Sequence, residues 1–261
     1  ETASIGKKLG IPLIIDNTAA PYICKPFSHG ASIVIHSTTK FIGGQGSAIG
    51  GVIIDGGSFK WEDFKTQQPA LNDPDPSYHG VIWSDAAKPI GPIAYVLKAR
   101  TTLLRDLGYA MSPFNAFQFI QGLETLSLRI EKQSKNAEKL ACFLKNNNKI
   151  SKVIYPSLYK QNNLSEKYFT KNLYGNLIGF HLKDGFQACK RFIDNLQLFY
   201  HVANIGDVRS LAIHPSSTTH SQLSNEDQER AGVFKDYIRL SIGIEHENDI
   251  IADIENALAS I

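Results

Sequence analysis

Three short apolar runs, IPLIID, ASIVIHS and AIGGVIID, end by Asp55 and constrain the fold more than any other feature of the chain. Each is rich in Ile and Val, continuous rather than alternating, and bounded by turn residues. Runs of that kind suit strands buried on both faces of a mostly parallel sheet, and the expected class is α/β. The chain opens ETASIGKKLG, without an initiator methionine, in what reads as a helix from Thr2 to Leu9 feeding a strand from Pro12 to Asp16. That is the middle of an α/β domain rather than its edge. The expectation is that further sequence lies upstream.

With 261 residues the chain can bury one large core or two smaller ones. From Trp61 to Lys88 it is rich in Pro, Asp, Asn, Gln and Tyr without periodicity, which reads as a long surface excursion. GPIAYVLKARTTLLRDLG then places Ile93, Val96, Leu97, Leu103, Leu104 and Leu107 at helical spacing and closes on Gly108. A second helical pattern begins at Ser112 and Pro113, with its apolar stripe through Phe117, Ile120, Leu123, Leu126, Ile130, Ala137, Leu140 and Leu144. So long a pattern without a break predicts a helix bridging two domains, residues 1–125 and 126–261. The rest mixes strand patterns (SKVIYPS, LIGFHLKD, LFYHVANIG, SLAIHPS, YIRLSIG) with helical ones. It reads as a smaller α+β domain closing on a helix capped by Asn248 or Asp249.

Composition excludes several classes of function. A net charge of +2 with scattered basic residues leaves no footprint for nucleic acid or an anionic membrane. No apolar run approaches the ~20 residues of a membrane helix. The three cysteines, Cys24, Cys142 and Cys189, are far apart and form no CxxC pair, which suggests reduced thiols in a cytoplasmic protein. His214 and His220 have no Asp, Glu or Cys at ligand spacing, so no metal is expected.

The chemistry gathers around HSTTKFIGGQGSAIGG, His36 to Gly51. One lysine, Lys40, stands between three hydroxyls and a glycine-rich turn, just after a strand. Asp16 ends the preceding strand. In an open parallel sheet the carboxyl ends of strands form the ligand crevice, so a carboxylate and an amine would face one cavity. Pyridoxal phosphate needs these parts. A lysine amine joins its aldehyde as a Schiff base, and a carboxylate keeps its pyridine nitrogen protonated. Ser37 and Thr39, at i−3 and i−1 from Lys40, could both turn toward its phosphate. The glycines allow close backbone approach. His36 reads as a packing residue. Arg239, in the apolar strand YIRLSIG, requires an anion: either a substrate carboxylate, which its planar fork matches, or a nearby Asp or Glu.

IIDNTAAPY, HSTTKFIGGQGSAIGG, SPFNAFQFIQGLETLSLR, IHPSSTTHSQLS and IRLSIGIEHENDIIADIENAL together resemble the Cys/Met-metabolism family of pyridoxal-phosphate enzymes. Within it they are most similar to the branch of O-acetylhomoserine sulfhydrylases. The likeness covers essentially the whole chain, with the motifs in the family's order. It implies the C-terminal part of a fold-type I, aminotransferase-like cofactor domain plus the smaller domain. By position it implies that Lys40 is the Schiff-base lysine and Asp16 the pyridinium partner, with Ser37 and Thr39 on the phosphate. Arg239, Asn204 and Thr219 would meet the substrate. Arg209 falls where cystathionine-cleaving members carry glutamate, which argues against that substrate.

The activity so implied is γ-replacement on O-acetylhomoserine by sulfide or a thiol, giving homocysteine or methionine. Methionine γ-elimination and O-succinylhomoserine as substrate are the nearest alternatives, and a non-catalytic truncated remnant is a third. The family also implies a site completed across a dimer, with dimers pairing into tetramers. Its ring that stacks on the pyridine, and its further phosphate contacts, belong to a region ahead of these residues.

Overall fold

Residues 1–159 and 164–261 are described by a computed structural model, and they fall into two units. The first comprises Glu1–Thr18, Lys25–Thr38 and Ile49–Phe117. The second comprises Ala19–Cys24, Thr39–Ala48 and Gln118–Ile261.

In the first unit, α1 (Thr2–Leu9) ends on Gly10 in the left-handed conformation, and the chain enters β1 (Ile14–Asp16). β1 pairs in parallel with β2 (Ile33–Ser37), with Asp16 opposite Ile35. β-branched residues fill both strands, as their propensity for a packed pleated surface requires. β3 (Gly51–Asp55) lies on the other side of β2 and runs antiparallel to it, with Ser37 opposite Gly51. The sheet is therefore mixed, because no crossover helix separates β2 from β3 to return the chain in parallel. Expected burial on both faces holds for β2, where Ile33 and Val34 are nearly inaccessible. It fails for the flanking strands, which leave Ile14, Val52, Ile53 and Ile54 exposed.

The stretch from Trp61 to Lys88 is not a surface excursion. It contributes Trp61, Leu71, Trp83 and Ala87 to a core shared with Ile33, Phe59 and Ala94. Its helices, α2 (Pro69–Asn72) and α3 (Trp83–Ala87), are single turns, too short to print a period on the sequence. Asp75 ties the stretch together, accepting from Trp83 Nε1 at 2.8 Å and from Lys98 Nζ at 3.1 Å. Lys98 ends α4 (Ala94–Lys98), and a wider-wound turn continues from Ala99 to Asp106.

The long helical pattern is broken at Thr125 into α5 (Pro113–Glu124) and α6 (Leu126–Lys145). α6 buries Ile130, Ala137, Leu140 and Leu144, whereas Phe117, Ile120 and Leu123 of α5 are exposed. Beyond α6 come β4 (Ile150–Ile154), α7 (Leu164–Tyr168), β5 (Leu177–Leu182), α8 (Gly185–Asp194) and β6 (Tyr200–His201). They are followed by β7 (Leu211–Ile213), α9 (Asn225–Arg230), β8 (Tyr237–Ser241) and α10 (Glu247–Ala259). Among the described residues the strands pair in the order β4-β5-β8-β7-β6, antiparallel except for β7 with β6.

Ile178, Phe180 and Leu182 of β5 alternate onto the face that also takes Ile238 and Leu240 of β8. α6, α8 and α10 cover that face with Leu140, Leu144, Phe192, Ile250 and Ile254. Each such fully buried side chain contributes about 1.5–3 kcal/mol. Arg239, between Ile238 and Leu240, falls by alternation on the opposite face. α10 is capped by the His246 ring, which accepts from Asn248 N–H, rather than by Asn248 or Asp249. Among the described residues no helix is long and apolar enough to cross a membrane.

Candidate functional site

In the first unit the carboxyl ends of β1 and β2 carry Asp16 and Ser37. Asp16 Oδ1 accepts from the Thr18 N–H at 2.9 Å, and Thr18 Oγ1 accepts from the Ser37 N–H at 2.7 Å. Thr18 therefore links the two strand ends. Its side-chain and backbone hydrogen bonds hold the exposed Asp16 carboxyl below its ordinary pKa, with a further contribution from His36. Burial pushes the His36 imidazole below its ordinary value, so the neutral ring is favoured beside that carboxylate. His36 is 9% exposed and sits within β2, and its Nδ1 meets no partner among the described residues.

Past Ser37 the chain makes one irregular helical turn, Thr38–Ile42, in which Lys40 leaves the helical region (φ −91°, ψ −120°). In the second unit Lys40 Nζ donates to Asn204 Oδ1 at 2.6 Å. Arg239 Nη2 donates to the main-chain oxygen of the same Asn204 at 3.2 Å. The Asn204 loop is tied to the end of β8 by Gly206 N–H donating to Ser241 Oγ at 3.0 Å. One residue thus accepts from both the lysine and the arginine that the sequence singles out.

Arg239 is half-buried, and burial lowers its pKa. Among the described residues it forms no ion pair, so the alternative of a neighbouring Asp or Glu is not realised. A guanidinium withdrawn from water with one main-chain acceptor retains capacity for an anion. Arg209, by contrast, is committed: Nε and Nη2 donate to the Asp207 carboxylate at 3.0 and 3.1 Å, and Nη2 also to the Gln45 carbonyl at 2.9 Å. Thr219 is not bonded to Lys40, Asn204 or Arg239; its hydroxyl meets the His220 ring at 2.8 Å. His214 is a core residue with both ring nitrogens engaged, by Ser217 Oγ and the Lys235 carbonyl.

These residues suit pyridoxal phosphate. The partner of Lys40 is a neutral amide, so no ion pair has to be broken for the amine to join a carbonyl. Thr38, between the two hydroxyls expected on the phosphate, is 5% exposed with an Oγ1 that has no partner among the described residues. A hydroxyl so placed is under pressure of about 1–3 kcal/mol to find one. Within the glycine-rich turn, Gly44 is approached closely by the Arg129 guanidinium.

Arg129 carries the structural role that its sequence position alone leaves open. An arginine inside the apolar stripe, between Leu126 and Ile130, is the same signal that singled out Arg239. Thr38 carries no sequence signal that separates it from its neighbours Ser37 and Thr39.

The mixed α/β fold sets Lys40 and Arg239 on one asparagine, an arrangement compatible with an aldehyde cofactor. The family model for Cys/Met metabolism PLP-dependent enzymes matches residues 1–259, and the chain belongs to that family. It is 51% identical over 267 residues to the O-acetyl-L-homoserine sulfhydrylase of Leptospira meyeri, covering 99% of this chain and 60% of that protein. It is 44% identical to the homocysteine synthase of Schizosaccharomyces pombe, covering 98% of this chain and 60% of the relative. A solved structure, the putative O-acetylhomoserine (thiol)-lyase of Campylobacter jejuni with N′-pyridoxyl-lysine-5′-monophosphate, superimposes with a TM-score of 0.90. It is 44% identical, over 99% of this chain and 61% of that one. The chain spans about three-fifths of the length of the relatives it matches.

Proposed function

We propose that this chain takes part in γ-replacement on O-acetylhomoserine, in which acetate leaves and sulfide or a thiol adds at Cγ to give homocysteine or methionine. The observation that carries the reading is the bonding of both Lys40 and Arg239 to Asn204, in a chain half identical to an O-acetyl-L-homoserine sulfhydrylase. Pyridoxal phosphate, when bound, supplies the electron sink for charge developed on the substrate carbons.

Lys40 would hold the cofactor by its aldehyde, and its amine is placed to move protons at the substrate carbons. The Asn204 side chain orients its amine. The Arg239 fork holds the substrate carboxylate, fixing which bonds face the lysine. Asp16, an exposed carboxylate already held in its charged form, keeps the proton on the pyridine nitrogen. Ser37 and Thr39 donate to the phosphate, and Thr219 borders the substrate. Residues 1–125 form the C-terminal part of the cofactor-binding domain and 126–261 the smaller domain. The full assembly is a cytoplasmic homo-oligomer, a dimer of dimers. Nucleic acid and membrane play no part.

The test is an absorbance spectrum of the purified protein with pyridoxal phosphate, then borohydride reduction and peptide mapping. A pyridoxyl group on Lys40 is expected. Product analysis with O-acetylhomoserine plus sulfide, against methionine alone and O-succinylhomoserine, identifies the reaction. Absence of any lysine adduct would overturn the reading in favour of a non-catalytic role. Light scattering reports the assembly, for which a monodisperse monomer is the contrary result.

A further inference from the structure

We propose that Arg129 is a positioning residue for Lys40, a role that rests on reading Lys40 as the cofactor lysine. Its guanidinium is buried, at 7% exposure, and makes four hydrogen bonds. Nη1 donates to the Phe41 carbonyl at 2.7 Å, and Nη2 to the carbonyls of Ile42 at 3.1 Å and Gly122 at 2.8 Å. Nε donates to Thr125 Oγ1 at 3.2 Å, and that hydroxyl sits at the break between α5 and α6.

Two of these acceptors are the peptide groups that follow Lys40. The backbone there needs an outside hold, because Lys40 departs from the helical dihedrals of its own turn. The hold is tight on two sides. A Cβ at Gly122 would lie 2.1 Å from the Ile42 oxygen, so α5 can approach that peptide only with glycine. A Cβ at Gly44 would lie 2.4 Å from Arg129 Nη1, and Gly44 has φ +74° besides. The Gly44 N–H closes the turn by donating to the Lys40 carbonyl at 2.8 Å.

The same helix steadies the other partner of the lysine. Gln133, one turn after Arg129, donates from Nε2 to the Asp207 carbonyl at 2.7 Å. The Val208 N–H donates to the Gly44 carbonyl at 2.7 Å. α6 therefore holds both the Lys40 turn and the loop that presents Asn204. A single ammonium could not reproduce this arrangement, since a planar fork is needed to reach carbonyls on three separate peptides.

The experiment uses the full chain with Arg129→Lys and Thr125→Val, the second keeping the arginine but removing the hydroxyl that orients it. Amide hydrogen exchange at Gly44 is expected to quicken about 10- to 100-fold in Arg129→Lys, and less in Thr125→Val, while the paired amides of β5 and β8 hold their rates. Competitive acetylation should find Lys40 more reactive relative to the other lysines in both variants. In the cofactor-loaded enzyme, kcat should fall with KM for O-acetylhomoserine nearly unchanged.

Unchanged Gly44 exchange and Lys40 labelling in a folded variant would overturn the proposal. So would acceleration spread equally over β5 and β8, which would make Arg129 a general stabiliser. If Arg129→Lys fails to fold, Thr125→Val alone decides on the same readouts. If the wild type takes up no pyridoxal phosphate, the reading of Lys40 fails, while exchange and labelling still report whether Arg129 fixes its backbone.

Discussion

The Lys40 ammonium and the Asn204 side-chain oxygen meet at 2.6 Å across 164 residues of sequence. The same asparagine accepts from Arg239 through its main-chain oxygen. The two contacts can therefore be separated by mutation. Asn204→Ala removes only the partner of the lysine and leaves the carbonyl that meets the arginine. Loss of one charge-assisted hydrogen bond should lower kcat roughly 10- to 100-fold with KM little changed. Steady-state kinetics check this, and a variant with wild-type kcat would show that the amide does not orient the amine.

Arg239→Lys keeps the charge and loses the planar fork. The expected cost is about 1.5–3 kcal/mol, on the order of 10- to 150-fold in kcat/KM. Cofactor content should stay constant, because Arg239 is assigned to substrate alone. Unaltered kinetics accompanied by lower stability would make it a structural cation.

Asp16→Asn leaves the bond from Thr18 N–H available to an amide oxygen, so the end of β1 should keep its shape. The amide cannot hold a proton on the pyridine nitrogen. Turnover should drop by orders of magnitude while borohydride still fixes pyridoxyl on Lys40. Near-normal turnover would return Asp16 to a turn residue.

Acid should weaken the fold through two buried imidazoles. Burial sets both His36 and His214 below their ordinary pKa, so the native protein resists protonating them. The unfolded chain takes those protons near pH ~6.5, and it binds more protons than the native state below that point. Stability is therefore full above about pH 6.5 and declines as pH falls through the lowered native values. Urea midpoints at pH ~7.5 and ~5.5, where exposed carboxylates stay charged, measure the decline. The decline should shrink in His214→Gln, and an identical slope in that variant would remove His214 from the account.

What could be read from sequence was what lies close together in it. Ser37, Thr39 and Lys40 span four positions, and the Ile and Val runs identify β1, β2 and β3 without help. The direction of β3 was not readable, because strand composition does not encode which way a neighbour runs. The core role of Trp61 and Trp83 was hidden by helices of one turn, which carry no period. The break at Thr125 was hidden because the apolar stripe continues through it. The convergence of Lys40 and Arg239 on Asn204 joins segments far apart in the chain, so only the likeness to a family pointed to Asn204. Arg129 bonds carbonyls, which every residue has, and leaves no complementary partner to find.

The two units share one thread unevenly, since the chain passes from one to the other after Thr18, Cys24, Thr38, Ala48 and Phe117. Lys40 lies in the ten-residue visit Thr39–Ala48, while Asn204, Arg239 and Arg129 all lie after Gln118. A gene cut at that last passage would send Arg129, Asn204 and Arg239 away together and leave the amine behind with the β1–β3 sheet. A fragment ending at that passage would therefore carry Lys40 without the asparagine and the arginine that share its cluster.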